Sequence, residues 1–70
     1  MKRVPVDSTV ILSAGYDPLT RTLEVQLQDG RVYAYLDVPP VVYRDLLAAE
    51  SAGRYFAWYI KTTFECQPVE

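Results

Sequence analysis

Arg54, Trp58 and Lys61 stand at i, i+4 and i+7 in the last third of a 70-residue chain, a spacing that lines three side chains along one face of a helix. An indole flanked by two cations has a definite chemistry: a nucleobase stacks on the ring while the cations neutralise phosphates. The helix start near Ser51 to Arg54 adds free backbone N–H groups. A Trp beside the apolar Ala57 equally suits a protein interface, where aromatic residues are enriched. The structural alternative is that Trp58 folds back against a loop or terminus, Ser51 is only a cap, and Arg54 and Lys61 are a solvated face. A second aromatic pair, Tyr33 and Tyr35, joins the candidate contact surface if both rings face solvent.

Catalytic chemistry finds little to work with. The chain has no His, and its single Cys and three Gly supply neither a zinc site nor a phosphate-cradling loop. Asp7, Asp17, Asp29 and Asp37 fall at expected strand ends and turns, where carboxylates make local hydrogen bonds more often than acid/base pairs. No catalytic residue, metal site or cofactor is therefore expected. Cys66 cannot form an internal disulfide and reads as a bystander thiol near a fraying C-terminus. The net charge of −2 opposes phosphate binding, so RNA affinity is expected to be weak.

Half of the residues are hydrophobic and six are tyrosines, too apolar for a disordered segment, yet no stretch approaches the ~20 apolar residues of a membrane span. The N-terminal Met1-Lys2-Arg3 lacks the apolar run of an export signal, which leaves the cytoplasm as the expected location. One domain is expected over 1–70, with an ordered core at about 6–64. In so short a chain nearly every large apolar side chain is needed for folding.

The elements that must position these residues follow from periodicity. Thr9 to Tyr16 is rich in β-branched residues and is bounded by the turn Asp17-Pro18-Leu19-Thr20. Residues 22–28 alternate, with Leu23, Val25 and Leu27 on one side and Glu24, Gln26 and Gln28 on the other. A third strand over 31–37 ends at Pro39-Pro40, which starts a helix over 40–50 with Val42, Tyr43, Leu46 and Leu47 on its apolar side. Ser51 caps a second helix, 53–64, whose inward face is Tyr55, Phe56, Tyr59, Ile60, Thr63 and Phe64. The expected fold is α+β: a three-stranded antiparallel meander followed by two helices packed on one face, β-β-β-α-α.

The turn between the second and third strands decides where the tyrosines point. A two-residue Asp29-Gly30 turn places Tyr33 and Tyr35 with the polar residues Gln26 and Glu24. A three-residue Gln28-Asp29-Gly30 loop, with Gly30 left-handed, places them opposite Val25 and Leu23. Val32, Ala34 and Leu36 are apolar too, so the residues permit both registers.

Tyr16-Asp17-Pro18, Leu23-Glu24-Val25, Gly30-x-x-Tyr33-x-Tyr35-x-x-Val38-Pro39, Tyr43-x-x-Leu46, Ser51-x-Gly53-x-Tyr55-Phe56 and Ile60-Lys61 together resemble the KTSC domain, over about Val6 to Phe64. That family takes its name from the C-terminus of some lysyl-tRNA synthetases and includes small stand-alone bacterial proteins. The resemblance implies a module of unknown function for which RNA binding has been suggested. It also implies a polar position between the two tyrosines, which favours Tyr33 and Tyr35 facing the core. One departure is Ala57, where the family pattern tends to have Asn. Two readings result: a weak RNA-binding module using Arg54, Trp58 and Lys61, or a protein-binding or homodimeric module using Trp58 and the outer face of Val32, Ala34 and Leu36. Neither involves a membrane or a small-molecule cofactor.

Overall fold

The computed structural model describes residues 2–69. Five antiparallel strands form one sheet in sequence order: β1 (Val4–Pro5), β2 (Ile11–Asp17), β3 (Thr22–Leu27), β4 (Val32–Tyr35) and β5 (Cys66–Val69). Between β4 and β5 run α1 (Pro40–Ala48) and α2, which spans 52–63. The α+β class and the two helices agree with expectation. The sheet has two more strands than the expected three, one added at each side.

The β3–β4 connection is the three-residue loop. Leu27 N–H donates to Arg31 O at 2.8 Å, Gly30 N–H donates back to Leu27 O at 2.9 Å, and Gly30 has φ +94°, a conformation that glycine enters without steric cost. Tyr33 therefore sits opposite Val25 and Tyr35 opposite Leu23. Those residues share the helix-covered face, where Leu23 and Val25 are fully buried and Tyr35 is 3% exposed.

Sheet and helices meet in a single core. From the sheet come Ile11, Ala14, Leu23, Val25 and Tyr35; from the helices come Val42, Leu46, Ala52, Phe56 and Ile60. Pro39 and Pro40 start α1 as expected. Its inward stripe is Val42 and Leu46, with Tyr43 stacked on Tyr16 at 5.5 Å. Leu47 was expected on that stripe, but it lies a further step of about 100° around the helix from Leu46 and is 45% exposed.

β5 lies beyond the expected ordered core at about 6–64, and β1, before it, has only two residues. The ladder shows how Pro68 is accommodated. Leu36 N–H donates to Glu65 O, and alternation along the β4/β5 pairing then makes Tyr33/Pro68 a non-hydrogen-bonded pair. The missing N–H of Pro68 therefore faces the open edge. At the opposite edge, Val6 N–H donates to Leu12 O, which makes Pro5/Ser13 the non-hydrogen-bonded pair. Each edge of the sheet thus carries a proline where an approaching strand would look for a donor.

Candidate nucleic-acid interface

The start of α2 is built around two small residues. Ser51 accepts a hydrogen bond from Arg54 N–H at 3.3 Å, the expected N-cap. Gly53 lets the β1–β2 loop come close, because a Cβ there would lie 3.1 Å from Val10 Cγ2 and 3.2 Å from Ser8 Oγ. The loop is held by Ser8, whose Oγ accepts from Val10 N–H at 3.0 Å and Ile11 N–H at 3.2 Å. Gln28 Nε2 donates to Ser8 O at 2.9 Å, tying the loop to the end of the neighbouring strand β3. Loop and helix leave between them an open groove of about 590 Å³, lined among others by Asp7, Glu50, Ser51, Arg54, Ala57 and Trp58.

Trp58 is 74% exposed, so it does not fold back under a loop or terminus. The Arg54 guanidinium lies over the indole, 5.8 Å from its centroid, within the range of a cation–π contact. Arg54 and Trp58 therefore form one exposed cationic–aromatic unit on the wall of the groove.

Lys61 does not join them. The middle of α2, Phe56–Ile60, is a π-helical segment, and Lys61 N–H donates to Phe56 O, five residues back. One residue inserted into a turn rotates everything beyond it by about 100°. The i, i+4, i+7 stripe is thereby broken after Trp58, and Lys61 is exposed but does not line the groove. The same insertion corrects the expected inward face. Ala52, Phe56 and Ile60 are buried at a strict spacing of four, whereas Tyr59 and Thr63 are exposed. Tyr59 instead bridges Tyr55, at 5.5 Å, and Phe64, at 6.0 Å, the latter five residues on.

Tyr33 and Tyr35 are not part of this surface. Tyr35 is buried edge-on against Phe56 at 5.6 Å, and its hydroxyl pKa is pushed up to about 12, chiefly by burial and further by the neighbouring Cys66 and Tyr33. Tyr33 is half-buried against the core on the same face. Burial also raises the Tyr55 hydroxyl pKa, with Asp45 and Tyr59 adding to it. Cys66 does not lie in a frayed tail: it pairs with Tyr35 in β5, and it is exposed.

Asp17 and Asp29 make the expected local hydrogen bonds, and Asp37 makes an ion pair instead. Asp17 accepts from Leu19 N–H at 3.0 Å and Asp29 from Arg31 N–H at 2.9 Å, while Asp37 lies 3.4 Å from Arg21 Nε. Asp7 differs, because it lines the groove with Glu50. Sequence reasoning missed these two and Ser8. They come from the β1–β2 loop and the α1–α2 junction, distant segments that no spacing rule connects. Among the described residues no cluster of three or more His, Cys, Asp or Glu is arranged to hold a metal, and no helix is long and apolar enough to cross a membrane.

An antiparallel sheet with two helices on one face and an open groove beside Trp58 at a helix start defines a small α+β domain. The chain belongs to the KTSC domain family, whose profile matches residues 7–64. It is similar over nearly its whole length to a KTSC domain protein from Yersinia pestis, with a TM-score of 0.92, 43% identity, and 99% of this chain and 97% of that one covered. A protein of Tsukamurella paurometabola is 47% identical over 60 residues, covering 86% of this chain and 90% of that protein. A lysine–tRNA ligase of Nostoc punctiforme is 39% identical over 59 residues, which cover 84% of this chain but 10% of the ligase. Ala57, the position where the family resemblance leads one to expect Asn, lies in the groove beside Arg54 and Trp58.

Proposed function

We propose that the protein is a non-catalytic interaction module that binds single-stranded RNA weakly, with Trp58 as the stacking platform and Arg54 beside it. The observation that carries this reading is the 74% exposure of Trp58 together with the guanidinium over its ring. An indole left in water costs hydrophobic free energy that a stacked base recovers, and base–aromatic stacking tolerates any sequence. The similarity to part of a lysine–tRNA ligase supports the reading, since a module carried by such an enzyme works close to RNA. Lys61, outside the groove, serves as a separate phosphate contact. The net charge of −2 keeps the affinity low.

A protein-binding or homodimeric role through Trp58 together with Val32, Ala34 and Leu36 has less support. Register puts those three on the sheet face away from the helices, whereas Trp58 stands on the helix layer. The prolines at both edges also oppose pairing through β1 or β5.

Titration with mixed-sequence RNA at low salt, followed by the fluorescence of the single Trp, tests the proposal. Binding is expected to weaken steeply with salt, and Trp58→Ala to cost about 1–3 kcal/mol of affinity. No fluorescence change at millimolar nucleotide would remove RNA as the partner. Sedimentation as a dimer that Trp58→Ala converts to monomer would install self-association in its place.

A further inference from the structure

Two carboxylates, Asp7 and Glu50, share the groove with Trp58. The ion pairs among the described residues are Arg3–Glu24, Arg21–Asp37, Arg31–Asp29 and Arg44–Asp45, so Asp7 and Glu50 stand outside them all. Glu50 lies in the junction between Ala49, the C-cap of α1, and Ser51, the N-cap of α2. Both side chains are exposed, and both also line the adjoining hollow beside Val6 and Leu47, so they are neighbours along one rim. The groove thus combines an aromatic surface and a guanidinium from α2 with carboxylates from the loop and the helix junction.

That combination constrains a nucleotide guest. Carboxylates repel phosphate, so the backbone must stay on the Arg54 side and outside, and only the base enters. Ionised carboxylates are acceptors alone, so the edge they meet must offer donors. Uracil presents one N–H on its Watson–Crick edge, and adenine and cytosine each present an amino group beside an acceptor nitrogen. Guanine presents N1–H and N2–H side by side, a fit to the two oxygens of one carboxylate.

We infer that the groove selects guanine, the base resting on Trp58 and giving its N1–H and N2–H to Asp7 or Glu50. This rests on the RNA-binding reading above and specifies the base that reading leaves open. Base recognition of this kind belongs to single-stranded RNA, whose Watson–Crick edges are free.

The test is quenching of Trp58 fluorescence by the four 5′-mononucleotides and by arginine amide, in the wild-type protein and in an Asp7→Ala/Glu50→Ala variant whose fold is checked by far-UV circular dichroism. The expected result is guanylate binding roughly tenfold tighter than uridylate, the effect of one good bidentate base contact, with the four nucleotides converging in the variant. Equal quenching by all four in the wild type, or a guanine preference that survives in the variant, overturns guanine selection while leaving the stacking role intact. No quenching by any nucleotide overturns the RNA reading itself. Quenching by arginine amide but not by guanylate marks a site for cations and overturns both.

Discussion

β4 and the middle of α2 both present closely spaced aromatic side chains, and the fold treats them in opposite ways. In β4, Tyr35 is 3% exposed; in α2, Trp58 is 74% exposed. The strand has only two faces, so once the Gln28-Asp29-Gly30 loop sets the register, Tyr35 must lie over Leu23 and under Phe56. The helix has a continuous range of directions, and its phase is set by what the sheet needs to have covered. Ala52, Phe56 and Ile60 satisfy that need, which leaves Trp58 outward beside Arg54, and the π segment turns Lys61 away from both. An aromatic in a strand is thus committed by a turn several residues away, whereas an aromatic on a helix is committed by packing.

The sharpest way to break this contrast is to truncate both rings. Tyr35→Ala is expected to destabilise the fold by about 3–5 kcal/mol, the scale for removing a large buried aromatic. Trp58→Ala is expected to stay within about 0.5 kcal/mol of wild type, as an exposed substitution should. Denaturant melts of the two variants read this directly, and equal losses would mean that Trp58 has a packing role.

Alkaline pH probes the same contrast without changing the ring. The Tyr35 hydroxyl is held near 12 in the folded protein, against about 10 when unfolded. Unfolding therefore releases a proton between these values. The contribution of Tyr35 is fully present below pH ~10 and is lost as pH rises towards ~12. Melts across this range should show the decline, and Tyr35→Phe should make it shallower.

A smaller loss than at Tyr35 is expected at the start of α2. Ser51→Ala removes the cap on Arg54 N–H and should cost about 1 kcal/mol. It should loosen the groove wall while leaving the β3–β4 register intact, which amide hydrogen exchange resolves residue by residue. If protection were lost in β4 as well, helix and hairpin would be one cooperative unit rather than two separately committed regions.

Much of the hairpin is legible in the sequence, because alternation from Leu23 to Leu27 is a local pattern. The turn left two registers open, and Gly30 at φ +94° resolved them. The cap at Ser51 and the proline start of α1 were legible for the same local reason. β5 was not. Its residues carry little alternation and include Pro68, and they form a strand because β4 offers an open row of N–H and C=O groups that must be paired.

The candidate site divides in the same way. Residue type and spacing by themselves determined that Arg54 and Trp58, one helical turn apart, form a unit, since neighbours four apart on a helix meet whatever the rest of the chain does. Lys61 fell out of that unit because the helix phase beyond Trp58 depends on Phe56 and Ile60 both reaching the core. Asp7 entered the groove beside Glu50 because Gly53 allows the β1–β2 loop to rest on α2. Local periodicity reports contacts within one turn of helix or one hairpin; which distant segments close over a ring is decided only when the whole core is packed.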